Sequence, residues 1–329
     1  MGSQSVRFLP VGWFGLAMGL AGLAFVLRNA AKVLGVPAVL GEIVALSAIA
    51  LEAVLVAAYA VKYLRHRDAV VAEFANPATM GFTATFPVSL MLVAGCLAPW
   101  AEVQAAAMWW LGTGMLVIYQ LYALARWFRG GFEAAQINGG WLIIVLAGLV
   151  APVGGLPLGL LKASQVMFSI SLALAPFMVG LLLWRTIVGP PLPDAARPPL
   201  FIFLVPPSLV YVFYGPLAGE SPYWTQACLY VSVILAGALL LASRDFLRWP
   251  FGVPWVGFTF PLDALASATL RHAALQPTTA AKVLAWATLA LAACAVALVL
   301  GRALAAFARG TLCPVPHPPP QPPDTGSKP

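Results

Sequence analysis

Charged side chains are scarce in this sequence. Only 9% of its 329 residues are Asp, Glu, Lys or Arg, and 61% are hydrophobic, whereas soluble domains carry about 25% charged residues. This composition excludes an ordinary soluble domain. Apolar runs of roughly 20 residues, each long enough to cross about 30 Å of hydrocarbon, recur along the chain. Because the connections between them are mostly short, one integral membrane domain is predicted over residues 1–309.

Residues that could build a catalytic or metal site are also few. The three histidines, His66, His272 and His317, fall at predicted helix ends or in the tail, so a Ser–His–acid set within the membrane is excluded. The four cysteines are scattered without metal-ligand spacing. No glycine-rich phosphate loop is visible. We therefore expect no enzyme activity, no metal and no cofactor, and transport that is passive or ion-coupled.

Ten membrane-spanning helices are predicted from the apolar runs. They cover residues 8–28, 37–62, 76–100, 103–127, 138–157, 159–185, 198–218, 222–244, 249–271 and 278–306. The tail, 310–329, is too rich in proline to pack a core, so it is expected to be extended, disordered and cytoplasmic.

The distribution of lysine and arginine predicts the orientation of the chain in the membrane. With the N-terminus in the cytoplasm, thirteen of the basic residues fall on the cytoplasmic side and five on the other side. Both termini are therefore expected in the cytoplasm. The net charge of +7 follows from this topology and does not indicate a nucleic-acid partner.

Prolines separate the odd-numbered predicted helices from the even-numbered ones. The odd helices contain Pro10, Pro77, Pro87, Pro152, Pro206, Pro207, Pro254 and Pro261, whereas the even helices contain Pro176. A proline kink frees a backbone carbonyl that protein or cavity water must satisfy, so the odd helices are expected inside. This predicts five helical hairpins around a central pore, with an inner ring of odd helices. Gly12, Gly15, Gly19 and Gly22 give the first helix small-residue faces for close packing.

The segment Trp255–Asp263, WVGFTFPLD, lies in the ninth predicted helix. Pro261 is expected to bend this helix toward a wet space. The phenyl ring of Phe260, beside the bend, could then plug a pore by excluding water. A packing role is the alternative, because aromatic residues are common on membrane helices.

Three acids fall within predicted membrane depth. Glu42 lies close enough to a helix end to be an interface residue, whereas Glu52 and Asp263 lie deeper and are candidate buried acids. An ionised Asp263 on the pore helix would repel anions. It is therefore predicted to be structural, either paired with a neighbour or protonated.

Several segments resemble the tellurite-resistance/dicarboxylate transporter family, which includes bacterial TehA and the plant slow-type anion channels. The resemblance runs from Pro10 to the tenth helix, and its motifs fall on the odd helices. They are PVGWFGLAMGLAGLA, NPATMGFTATFPVSLMLVA, NGGWLIIVLAGLVAP, RPPLFIFLVPPSLVY and WVGFTFPLDALASATL.

The resemblance implies a homotrimer in the cell membrane, the inner membrane of a bacterium, with one anion pore in each protomer. Phe260, directly before the proline, corresponds to the phenylalanine that occludes the pore in this family. Gly15, in the WFG motif, corresponds to a glycine at a close helix contact. The other residues expected at the pore are Pro261, Pro87, Phe86, Pro152, Phe203 and Pro207.

Three functions follow from these observations. A weakly selective passive anion channel or uniporter, linked by resemblance to tellurite resistance, is favoured, because no ring of basic residues lies at membrane depth to hold an anion tightly. A proton-coupled exporter of dicarboxylate or sulfite is the alternative, with Asp263 or Glu52 as the proton carrier. A membrane enzyme acting on tellurite is disfavoured, since no redox-active cysteine pair or metal site is discernible.

Overall fold

The computed structural model describes residues 6–313, and this part of the chain is helical with no strand. The α-helices are α1 (Phe14–Leu34), α2 (Ala38–Arg65), α3 (Arg67–Ala75), α4 (Met80–Thr83), α5 (Thr85–Leu97), α6 (Glu102–Phe128), α7 (Gly140–Gly155), α8 (Leu161–Val188), α9 (Val205–Ala218), α10 (Trp224–Ala242), α11 (Thr259–Leu275) and α12 (Thr279–Ala308). Short 3₁₀ segments cover Val11–Trp13, Ala134–Gln136, Leu156–Leu158, Asp194–Ala196, Pro198–Leu204, Phe246–Arg248 and Val253–Phe258.

The long helices pack as five hairpins. Each pair that is consecutive along the chain lies side by side, namely α1 with α2, α5 with α6, α7 with α8, α9 with α10 and α11 with α12. The first helices of these hairpins also contact one another in chain order, and α11 packs back against α1. They therefore form a closed inner ring, which confirms the predicted arrangement of the odd helices.

Burial separates the inner helices from the outer ones. Apolar 18-residue stretches of the spans that contain α1, α5 and α7 are 83–89% buried, and that of α9 is 50% buried, compared with 22–39% for the outer helices. The outer helices instead expose large apolar side chains such as Ile118, Phe177 and Ile234. Exposed apolar side chains on a helix are stable where they face lipid. The chain is thus a multi-pass membrane protein.

Nine helical segments of residues 6–313 are long and apolar enough to cross a membrane, and the ninth predicted helix is not among them. Its α-helical part, α11, has 17 residues and contains Asp263, Arg271 and His272. The polar residues lower its hydropathy, but α11 completes the inner ring by packing against α1, α9 and α12.

The prolines of three inner helices lie in the first helical turn, where the sequence predicted kinks in the helix interior. Pro87 is the third residue of α5, Pro206 and Pro207 are the second and third of α9, and Pro261 is the third of α11. The first turn of a helix has no intrahelical partners for its N–H groups, so proline is tolerated there. The bend in each case is a junction between a preceding helical segment and the α-helix. Pro152, in contrast, lies inside α7.

Two further boundaries differ from prediction. The connection after the second helix contains α3 (Arg67–Ala75), where a loop was expected. The first helix runs to Leu34 and ends at Gly35, which has φ +75°. Arg28 thus lies inside the helix, where its side chain is paired with Glu42 of α2.

The first residues of the predicted disordered tail pack against the start of the helical domain. The indole Nε1 of Trp13 donates to the carbonyl of Leu312 at 3.3 Å, and Cys313 is buried. Leu312 and Cys313 therefore contact the helical part of the chain. The remainder of the proline-rich tail, 314–329, lies outside the described residues.

Candidate pore and gate

A row of cavities follows the axis of the inner ring. At one end lies a space with a volume of about 490 Å³, lined by residues that include Gly12, Thr79, Asn138, Pro199 and Val253. We call it the N-terminal vestibule, because the segments that lead into the inner helices surround it. At the opposite end of the ring, the C-terminal vestibule has a volume of about 430 Å³ and is lined in part by Lys32 and Arg271.

Between the vestibules lies an apolar constriction with a volume of only about 30 Å³, about the volume of one water molecule in the liquid. All five inner helices or their 3₁₀ starts contribute to it. Its lining residues are Met18, Val88, Ile143, Leu146, Ala147, Val150, Ile202, Val205, Val256, Gly257, Phe260 and Pro261. Because none of these side chains is polar, an ion entering the constriction would lose hydration without receiving a replacement ligand.

The fourth space, which we call the Asp263 cavity, lies between the constriction and the C-terminal vestibule. Its volume is about 260 Å³, and its walls include Gly22, Pro152, Leu209, Phe260 and Asp263. It shares Asn29, Val212 and Ser267 with the C-terminal vestibule. The two spaces are therefore adjacent along the axis.

Phe260 separates the Asp263 cavity from the apolar constriction, because its side chain lines both. The residue is 4% exposed. Its ring reaches the backbone of α1, since a Cβ added at Gly22 would lie 2.9 Å from Phe260 Cδ2. The ring thus fills the space between α11 and α1 at the boundary of the Asp263 cavity and the constriction.

The glycines of α1 set how closely α11 and its 3₁₀ start approach. A Cβ at Gly19 would lie 2.5 Å from Thr259 Oγ1, and one at Gly22 would lie 2.6 Å from Asp263 Oδ2. Gly12 and Gly15 contact Val253 and Val256 in the same way. This stripe of glycines places the Phe260 ring against α1, and any larger residue in the stripe would separate the two elements.

Asp263 lies one turn after Phe260 and is 1% exposed. Neither of its carboxylate oxygens has a hydrogen-bond partner among the described residues. The pairing with a neighbour that the sequence suggested is therefore not found. The other deep acid, Glu52, lies on the outer helix α2, lines none of these cavities and accepts a hydrogen bond from Ser89 of α5 at 3.0 Å.

The charged residues near the two vestibules differ. Lys32 and Arg271 give the C-terminal vestibule two positive groups, whereas Glu73 lines the N-terminal vestibule. Glu73 accepts hydrogen bonds from the Val11 amide at 2.6 Å and from Lys62 Nζ at 2.6 Å. Lys62 is 3% exposed and also donates to the carbonyl of Leu9. This ion pair neutralises Glu73 and joins α2 and α3 to the start of α1.

Four residues that were expected at the pore line none of these cavities. Phe86 packs against Phe14 with ring centroids 4.3 Å apart and lies 6.3 Å from the ring of Tyr59 on α2. Pro87 faces α6, because a Cβ at Gly112 would lie 2.7 Å from its carbonyl oxygen. Phe203 and Pro207 are half-buried at the start of α9. In contrast, Pro152 lines the Asp263 cavity, and Pro261 lines the constriction.

Of the residues that line the constriction, sequence reasoning identified only Phe260 and Pro261, and it did not identify the Glu73 ion pair. Met18, Ile143 and Ile202 resemble any other apolar residues of a membrane helix, so no sequence signal distinguishes them. Glu73 had a detectable signal, because it lies just before the NPATMG motif. Glu42 was expected near the membrane interface, and it pairs with Arg28 through two hydrogen bonds of 2.9 and 2.7 Å.

A closed ring of helices around a row of cavities defines a multi-pass membrane protein with internal spaces along the axis of the ring. The sequence comparison gives its family, since residues 9–304 match the family model of SLAC1, the voltage-dependent anion channel. The chain belongs to this family.

The relatives that match include both groups named by the resemblance. The plant S-type anion channel SLAH3 of Arabidopsis thaliana is 23% identical over 314 residues, which cover 93% of this chain and 49% of SLAH3. The guard cell S-type anion channel SLAC1 of the same plant is 23% identical over 283 residues, 83% of this chain and 51% of that protein. The tellurite resistance protein TehA homolog of Haemophilus influenzae is 29% identical over 126 residues, 38% of each chain. The chain spans about half the length of these plant relatives.

Proposed function

We propose that this protein is a passive anion channel or uniporter with weak selectivity, closed by the side chain of Phe260. The observation that carries the proposal is the position of this ring between the Asp263 cavity and a constriction to which all five inner helices contribute. An anion that crosses must displace the ring or pass an apolar space of one-water size. Both are costly for an ion, so the closed state is the ground state.

The charge distribution at the two ends of the ring supports anions as the permeant species. The segments that lead into the five inner helices line the N-terminal vestibule, and α9 and α11 begin beyond it at the constriction. The inner helices therefore direct their N-terminal ends, where their dipoles place partial positive charge, toward this vestibule. At the other end, Lys32 and Arg271 offset the partial negative charge of the helix C-termini. No basic side chain lines the constriction or the Asp263 cavity, and weak binding with fast release suits conduction.

The test of the gate is Phe260→Ala, measured as anion current in planar bilayers. Removing the ring joins the constriction to the Asp263 cavity, so we expect the current to rise at least about tenfold, since 1.4 kcal/mol less barrier is a factor of 10. Phe260→Leu should give a smaller increase, because more bulk remains.

Phe258→Ala is the matched control for this experiment. Phe258 is a buried phenylalanine of the same segment, but it faces a different cavity with Phe246 and Leu298, outside the inner ring. Its loss should lower thermal stability without raising the current. If Phe260→Ala also lowers stability without raising the current, Phe260 is a packing residue.

A proton-coupled exporter is the second candidate, and the unpartnered carboxylate of Asp263 favours it. A coupled exporter moves a proton across the membrane with each anion. Its reversal potential therefore shifts when a pH gradient is imposed at constant anion concentrations. We expect no shift, because none of the constriction side chains could carry a proton past Phe260.

We further propose a homotrimer of ten-helix protomers in the cell membrane, with both termini cytoplasmic. The inner ring closes within one chain, so each protomer would hold its own pore, and the mass of the detergent-solubilised complex tests the assembly.

The link to tellurite resistance rests on the name of the Haemophilus relative. Greater tellurite tolerance of cells with the wild-type protein than with Gly15→Asp is the expected result.

A further inference from the structure

The carboxylate of Asp263 is a polar group without a partner inside the conduction path. Its side chain lines a cavity of about 260 Å³, yet both oxygens lack a hydrogen-bond partner among the described residues. A buried acid in this position is costly unless it is protonated or contacts a ligand. Glu52, the other deep acid, is different because Ser89 donates to it.

The groups around Asp263 do not neutralise it. The remaining walls of its cavity come from α1, α7, α9 and α11 and contain no ionisable side chain; Asn29 and Ser267 are polar. Lys32 on α1 and Arg271 on α11 lie beyond these residues in the C-terminal vestibule. His272 is hydrogen-bonded to Tyr211. On α12, which packs behind α11, the charged residues are Lys282 and Arg302, and α10 has none.

We propose that the Asp263 cavity binds a small anion together with one proton, which is carried by the Asp263 carboxyl. The protonated carboxyl donates a hydrogen bond to the anion, and Asn29 and Ser267 are available as further donors. The proton comes from water in the C-terminal vestibule and returns there when the anion leaves. This site rests on the proposed anion conduction and adds a binding role for a residue that was expected to be structural.

Binding of the anion and of the proton must be coupled. An ionised Asp263 about 4 Å from an anion would repel it by a factor of roughly 10³ in affinity at an effective dielectric constant near 20. Thermodynamic linkage then requires that the anion raise proton affinity by the same factor. Acidification on the side of the C-terminal vestibule should therefore increase occupancy by the anion, and alkaline solution should reduce it.

Proton uptake tests this coupling without requiring the gate to open. The purified protein in detergent is titrated with sodium nitrate in weakly buffered solution at several pH values between 5 and 9, and a pH indicator records released or bound protons. We expect uptake of up to one proton per chain in the wild type and none in Asp263→Asn. Glu52→Gln is the matched control and should take up protons as the wild type does.

Two results would overturn the site: no nitrate-dependent uptake in the wild type, or equal uptake in Asp263→Asn. Asp263→Glu keeps an ionisable group and should retain the uptake if the carboxyl itself is responsible. If Asp263→Glu retains the uptake and Asp263→Asn melts at the wild-type temperature, then Asp263→Asn has lost the proton site and not the fold.

Bilayer currents separate this proposal from the proposed function. With nitrate on both sides, lowering the pH at the C-terminal vestibule from 8 to 5.5 should raise the wild-type current at least tenfold, and Asp263→Asn should remove the dependence. Currents whose pH dependence is the same in Asp263→Asn would contradict the Asp263 site but leave the channel intact. No anion current in wild type or Phe260→Ala at any pH would instead refute the channel.

Discussion

Gly15 of α1 lies so close to Val256 of the 3₁₀ segment before α11 that a Cβ on the glycine would overlap the valine side chain. This contact is part of the glycine stripe that holds α11 and its 3₁₀ start against α1. Because α1 and α11 are the first and last members of the inner ring, the same contact closes the ring.

Gly15→Asp is expected to abolish channel activity or assembly. A charged side chain there would enter a buried apolar contact without a partner, at a cost of several kcal/mol. Gly15→Ala should be milder, since overpacking costs about 1–3 kcal/mol, and should lower the melting temperature. Gly180→Ala on α8 is the control, because a Cβ there meets nothing within 4 Å. Wild-type melting and current in Gly15→Ala would contradict the close contact.

The polarity of the side chains that line the constriction can be changed without changing its volume. Val150 lines it, whereas Val145 lies on the same helix, is also buried and does not line it. Val150→Thr replaces a methyl group by a hydroxyl that can hydrogen-bond water or an anion, so we expect a several-fold higher current in the Phe260→Ala background. Val145→Thr should lack this effect. An equal increase in both variants would mean that general loosening of α7, not hydration, raises the current.

The ion pair between Lys62 and Glu73 is expected to stabilise the start of α1. Lys62→Met leaves the carboxylate of Glu73, which is 12% exposed, without its cation and should destabilise the fold by about 3 kcal/mol. The double variant Lys62→Met/Glu73→Gln removes both charges and should recover part of the loss. Thermal unfolding in detergent measures both. If the two residues are not coupled, adding Glu73→Gln to Lys62→Met will lower the free energy of unfolding further, by the full cost of the Glu73→Gln change.

The predicted topology places Arg65 on the cytoplasmic side of the membrane. Arg65 is exposed at the last turn of α2, so a cysteine at this position would be accessible to reagents. We expect Arg65→Cys, in a Cys294→Ser background that removes the exposed native cysteine, to resist an impermeant maleimide added to intact cells. The same reagent should label it after the cells are opened. Labelling from outside would show that the predicted topology is inverted.

Much of the fold was predictable because the membrane imposes strong constraints on sequence. Apolar runs indicated the approximate positions of nearly all the long helices, and the alternation of proline-rich and proline-poor runs correctly separated inner from outer helices. For three inner helices, the expectation of a kink in the helix interior was wrong, since their prolines lie in the first turn. A proline pattern does not tell whether a helix bends in its interior or begins with a 3₁₀ turn, because both remove one N–H donor.

For the site, the sequence by itself determined that Phe260, Pro261 and Asp263 lie together on an inner helix, since residues a turn apart on one helix stay together. Only the tertiary structure decided which side of each inner helix faces the axis. It placed Pro152 at the axis and Phe86 against Tyr59 of α2, and it left Asp263 in a cavity without a partner. The physical reason is that inner helices such as α1, α5 and α7 are buried on nearly every side, so they have no polar face that marks their orientation, and only packing against the neighbouring helices settles it.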